Sequence, residues 1–230
     1  MTFTILGRCA RTGQLGGAIT TSDIAVGARV LSATAELGVA ASQHRTDPRL
    51  GPLVLERLAL GESPEQAVVA VAAGTRHRDW RQLGALDARG RTGAYSGSRL
   101  WPIGAQLSGP DCLVLANMLA SDAVAPAIRD AFTGDPAQPL ADRLLAGLVA
   151  GERAGGERGD GLRSAALLIV ERERFPLVDL RVDDDPAPLQ RLVGLWDVYR
   201  PLAPVFVARA LTPDDVPAPG GDHRQSSTTT

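Results

Sequence analysis

Apolar residues recur along this chain with two periods. Phe3 and Ile5 alternate with polar partners, and residues 15–21 form a second short apolar run across the polar turn 9–14. Together they predict a strand hairpin that starts with the chain itself. Residues 23–33 form an apolar, glycine-containing passage, and residues 37–42 predict a third strand. Small residues crowd the second and third strands: Gly16, Gly17, Ala18, Gly38, Ala40 and Ala41. Glycine weakens a strand unless another backbone or side chain comes close, so close sheet-on-helix packing is expected, with a substrate-facing groove as the other reading.

Helical spacing follows over residues 49–60, stopping at Gly61. A second helix opens at Ser63-Pro64-Glu65-Gln66, where a cap, a first-turn proline and a capping-box glutamine coincide, and it ends near Gly74. Residues 82–87 and 91–96 predict another hairpin across Asp87-Ala88-Arg89-Gly90. Residues 102–108 are weaker strand material, and 111–115 are apolar again. Two helices are expected, one between Ser121 and Gly134 and one over 139–150, with Leu140, Leu144, Leu145 and Leu148 on one face. Residues 151–161 are rich in glycine and charge and predict a mobile loop. Strands over 164–170 and 177–182 and a closing helix over 186–199 complete the series.

Strands in blocks, interrupted by pairs of helices, argue for antiparallel sheets with helices outside rather than for alternating βα units. The expected architecture is α+β: a four-layer αββα sandwich of two mainly antiparallel sheets. One domain over residues 1–210 is expected, followed by a disordered tail over 211–230 that is rich in Pro, Asp, Gly, Ser and Thr.

Composition then narrows the chemistry. The chain has 230 residues, 44% of them hydrophobic, and a formal charge of -2, with no basic stripe of the kind that binds nucleic acid. No apolar run is long enough to span a bilayer, and no signal-peptide pattern precedes the first strand, so a cytoplasmic protein is expected. Two cysteines, Cys9 and Cys112, are too few for a disulfide framework. His44, His77 and His223 have no ligand spacing, so neither a metal site nor a cofactor is expected. Neither a nucleophile elbow, a Walker loop nor a dinucleotide fingerprint occurs. All 24 basic residues are arginine. Lysine chemistry is therefore closed to this chain, and its single amine is the one at the amino terminus.

That amine matters because the second residue is Thr2. If Met1 is trimmed, Thr2 carries an α-amine beside its own hydroxyl. An α-amine has a pKa of about 8, so a good part of it is neutral near neutral pH and can serve as base to the hydroxyl. Elsewhere, Arg163 and Ser164 stand just before a buried strand, as site or as sheet rim. Asp179, Arg181 and Asp183 share one strand face, where ion pairing among themselves is the simpler reading. Arg45, Arg163 or Arg181 is also placed to anchor a substrate carboxylate. The apolar residues from Trp196 through Val205-Phe206-Val207 predict self-association as a homo-oligomer.

Several segments, in order, carry a resemblance: Thr2-Phe3-Thr4-Ile5, Arg11-Thr12-Gly13-Gln14-Leu15-Gly16, Ala25-Val26-Gly27, the stretch from Ala85 to Arg91, Ala116-Asn117-Met118-Leu119-Ala120, Arg163 to Leu168, and Val178 to Asp184. Over about residues 1–200 the chain resembles the DUF1028 family, which is similar to the N-terminal-nucleophile hydrolases and their αββα fold. The resemblance implies hydrolysis of a C–N amide or imide bond in a small molecule. It makes Thr2 nucleophile and base and Asn117 an oxyanion donor. It places Ser22, Gln43 and Asp47 at the substrate. This chain departs from the family at Asp23, where a cation is common, at Gln106, where histidine is common, and at Ala116, where glycine is usual. Asp23 and Gln106 motivate the alternative of a catalytically silent relative that binds a ligand or serves in an assembly.

Overall fold

The computed structural model describes residues 2–159 and 161–216. Strand β1 (Thr2–Arg8) returns as β2 (Leu15–Thr21) through the expected turn, in which the Cys9 carbonyl accepts the Gly13 N–H at 2.9 Å. Gly13 stands at φ 81°, which a residue with a Cβ rarely adopts. The later strands are β3 (Leu31–Thr34), β4 (Gly38–His44), β5 (Arg81–Asp87), β6 (Thr92–Ser96), β7 (Ala105–Gly109), β8 (Cys112–Asn117), β9 (Ser164–Val170) and β10 (Val178–Val182). They form a six-stranded sheet in the order β10-β9-β2-β1-β8-β7 and a four-stranded sheet in the order β3-β4-β5-β6. Every ladder is antiparallel.

Helices α1 (Leu50–Ala59) and α2 (Pro64–Gly74) cover the four-stranded sheet, with Leu50, Val54, Leu58, Val68 and Val71 against Ala40, Leu83 and Ala85. The capping box of α2 forms as its sequence requires: the Gln66 N–H donates to Ser63 Oγ, and Gln66 Oε1 accepts the Ser63 N–H. Helices α3 (Val124–Thr133), α4 (Leu140–Arg153) and α5 (Pro188–Tyr199) cover the six-stranded sheet. Strand alternation sorts β1 between the layers. Phe3 and Ile5 join Ile128, Leu144 and Leu148 on the helix side, while Leu6 joins Ile19, Val39, Leu86, Leu113 and Leu115 between the sheets. The result is the four-layer αββα sandwich that the order of elements predicts.

The strand glycines serve both kinds of contact. A Cβ on Gly38 would lie 2.8 Å from Leu58 of α1, and one on Gly17 would lie 3.1 Å from Leu31 of the facing sheet. Three parts of the fold differ from the sequence reading. β3 begins within the passage 23–33 and ends one residue beyond it; it is a half-buried edge strand and leaves little pattern. A sixth helix, α6 (Ala203–Leu211), follows α5. Within the stretch expected to be a mobile loop, Gly151 to Arg153 finish α4, and Glu157 forms an antiparallel bridge with Leu119. Its glycines 155, 156, 159 and 161 have φ of 122°, 58°, 106° and 92°, which residues with a Cβ rarely adopt. Residues 217–230 of the predicted tail lie outside the described residues. No helix among the described residues is long and apolar enough to cross a membrane.

Candidate functional site

Thr2 opens β1, an interior strand of the larger sheet. Its register partners are Thr21 on β2 and Asn117 on β8, and Thr21 is paired in turn with Ser164 on β9. Residues two steps further in on these strands, Ile19, Leu115 and Ala166, face the other sheet. By alternation the row Ser164–Thr21–Thr2–Asn117 faces the same way. Four strands therefore place four polar side chains side by side where the apolar inter-sheet core ends. All four are buried, and Thr2 is 7% exposed. The hydroxyls of Thr2 and Thr21 lie 3.1 Å apart.

The facing sheet answers with its own row, Gln43, Gln82 and Ser96, in register on β4, β5 and β6. Gln82 orients the whole set. Its Nε2 is shared among the carbonyls of Ala105 and Ala116, both at 3.1 Å, and Ser96 Oγ. Carbonyls only accept, so the amide cannot be turned round. Gln82 Oε1 must then accept, from Gln43 Nε2 at 2.7 Å and from Asn117 Nδ2 at 3.2 Å. Gln43 Oε1 accepts the Thr4 hydroxyl at 2.6 Å. Asn117 thus donates to Gln82 and leaves its Oδ1 buried with no hydrogen-bond partner among the described residues.

The remaining residues expected at the site divide. Ser164 Oγ donates to the Asp23 carbonyl at 2.6 Å and accepts the Val26 N–H at 3.1 Å, which ties down the loop after β2. The backbone N–H of Ser22 donates to Glu157 Oε2 at 3.1 Å. Asp47 stands at the start of α1, where it holds Arg49 through two hydrogen bonds of 2.9 and 2.8 Å. That guanidinium keeps the Asp47 carboxyl below the usual carboxylate range. Arg163 binds Asp184 and Arg181 binds Asp179, each bidentately and at an exposed position. The structure therefore gathers Thr2, Asn117, Gln43, Ser164 and the Ser22 backbone, while the side chains of Asp47, Arg163 and Arg181 are engaged with neighbours of their own.

Five site residues escape sequence reasoning: Thr4, Thr21, Gln82, Ser96 and Glu157. An amide at position 82, two places from Gly84 and four from Leu86 on one strand face, is a faint signal for Gln82. For Glu157 there is none, because glycine and charge around it read as loop. Glu157 is half-buried, and its Oε1 has no hydrogen-bond partner among the described residues. Burial pushes its carboxyl up to about 7; the charge of the amino terminus and the bonds from Ser22 pull it down, and Asp23 pushes it further up.

An aromatic rim adjoins this end. His44 follows Gln43 at φ 68°, and Met118 follows Asn117 at φ 57°, so the backbone turns sharply at the ends of β4 and β8. His44 Nδ1 lies 2.9 Å from the Trp80 carbonyl and must donate to it. Burial lowers the pKa of this ring, and its bond to the Trp80 carbonyl works against that. It meets Trp101 edge-on at 5.0 Å, and the Arg45 guanidinium lies 4.9 Å from that same indole. Cys9 and Cys112 are buried and unbridged, and burial pushes the Cys112 thiol up to about 11.

The model of the family of unknown function DUF1028 matches residues 2–192. The chain belongs to the DUF1028 family. A crystal structure of a Silicibacter pomeroyi protein carrying the same family designation is 35% identical, covering 86% of this chain and 88% of that one, at a TM-score of 0.80. The DUF1028 sandwich described above is thus shared with a solved relative. Anbu, the ancestral beta-subunit from Yersinia bercovieri, aligns over 89% of this chain and 96% of its own at 12% identity and a TM-score of 0.41, too remote to argue from. No functionally curated protein matches the chain.

Proposed function

We propose that this DUF1028 protein hydrolyses a C–N amide or imide bond in a small molecule, with Thr2 as nucleophile once Met1 has been removed. Met1 itself lies outside the described residues. The observation that carries the reading is the place of Thr2: the first residue of an interior strand, flanked in register by Thr21 and Asn117, at the polar end of the inter-sheet layer.

In the proposed reaction Thr2 Oγ attacks the substrate carbonyl while its own α-amine takes the hydroxyl proton. Backbone N–H groups and the second N–H of the Asn117 amide receive the oxyanion. Collapse breaks the C–N bond, and the departing nitrogen leaves with the proton from the α-ammonium. An ester on Thr2 remains. Water attacks it, giving its proton to the amine; the acid departs and the proton returns to Oγ. The reaction needs no cofactor or metal. We read the protein as cytoplasmic, without nucleic-acid or membrane partners, and self-associating.

A Thr2→Ala variant tests this directly against a panel of small amides and imides. The expected result is a loss of at least about 1,000-fold in turnover with an unchanged melting temperature. Turnover that survives the substitution overturns the mechanism. One observation favours the alternative, a silent ligand-binding or assembly relative: the Asn117 amide already serves Gln82. That reading predicts ligand binding with no turnover and no covalent adduct from electrophilic amides or lactones.

A further inference from the structure

β1 runs between β2 and β8 and starts at Thr2. Past that start, Ser22 lies on the β2 side and Met118 to Ala120 on the β8 side. The segment around Glu157 crosses between them. On the β8 side, Glu157 bridges Leu119; the Ala120 N–H donates to the Gly156 carbonyl at 3.0 Å, and the Arg158 N–H donates to that of Met118 at 3.1 Å. On the β2 side, Glu157 Oε2 takes the Ser22 N–H. The carboxylate is therefore held across the line along which β1 begins.

Two buried acceptor atoms near this point have no donor among the described residues: Glu157 Oε1 and Asn117 Oδ1. A buried acceptor left without a donor is costly, and such groups need an explanation. Gln82 forces the Asn117 oxygen to be one of them. The α-ammonium of a trimmed Thr2 brings three N–H donors to the same strand end.

We propose that Glu157 is the positioning residue for the Thr2 amine: its carboxylate, with Asn117 Oδ1 as second acceptor, holds the amino group and turns its lone pair toward the Thr2 hydroxyl. This rests on the hydrolase reading above. An anion beside an ammonium favours the protonated form, so Glu157 also sets the pH above which the amine is ready to act as base. Asp23 and the amino terminus are titratable groups that act on Glu157; Met118, Leu119 and Ala120, which lie against its segment on the β8 side, bring none.

The absence of lysine makes the test clean, because the α-amine is the single amine of the chain. The rate of its acetylation by acetic anhydride, followed by mass across pH, gives its pKa. Glu157→Gln is expected to lower that pKa by about one unit, to move the acid limb of the activity profile by the same amount, and to leave the fold intact. Glu157→Asp, which keeps the charge, is expected to restore most of the shift. Equal amine pKa values in the wild type and Glu157→Gln overturn the proposal. Labelling needs no turnover. A shift in a protein that hydrolyses nothing therefore sinks the hydrolase and keeps the contact, whereas retained Met1 in the intact mass removes both.

Discussion

Gln82 decides what Asn117 can offer. Two carbonyls fix its amide, and everything bonded to Gln82 Oε1 follows from that choice. Gln82→Leu would leave the Gln43 and Asn117 amides short of an acceptor in a buried layer, and about 2–4 kcal/mol of stability should be lost. Urea unfolding measures it; a loss below about 0.5 kcal/mol would mean the network is replaceable. Glu157 gives a pH signature. Its folded pKa of about 7 lies above the ordinary 4.5, so between those two values the folded state holds a proton that the unfolded chain has released, and above 7 the group is a carboxylate. Its contribution is complete below the ordinary value and is lost as pH rises toward 7. The stability of Glu157→Gln relative to wild type should rise between pH 5 and pH 8 by about 1–3 kcal/mol; a pH-independent difference would contradict the burial argument. Thr2 stands out in the sequence as the residue behind Met1 at the start of a readable strand; Asn117 comes forward only through the family resemblance, because the apolar run read there stops at residue 115. Glu157 was not legible, because its burial comes from the ends of two other strands meeting it.

At the scale of elements, most of the fold is written locally. The capping box at Ser63, the hairpin turn at Gly13 and the leucine face of α4 each fix their element without distant help. β3 and α6 are less legible because one is a half-buried edge and the other keeps a single buried residue, Ala203. Contact between elements is least legible of all, and Gly93 is a good case. A Cβ there would meet the Glu65 nitrogen and the Pro64 carbonyl carbon, each at 2.3 Å. Gly93→Ala should therefore lift the start of α2 off β6 and cost about 1–3 kcal/mol or more, seen as a lower melting temperature. An unchanged melting temperature would show that α2 can shift without penalty.

For the whole molecule, two sheets face each other over an apolar layer that ends in polar rows from both sides, and the chain begins at that end. The self-association we propose belongs to this scale. Leu202, Phe206 and Leu211 on or beside α6 are all exposed. Light scattering should give a mass above that of one 24.1 kDa chain, and a monomer would remove the idea. The central claim concerns the amino terminus. The direct measurement is the mass of the first tryptic peptide from active protein, before and after reaction with an electrophilic lactone. The account predicts a peptide that starts at Thr2 and carries the acyl adduct there; active protein whose first peptide still starts at Met1 would contradict it.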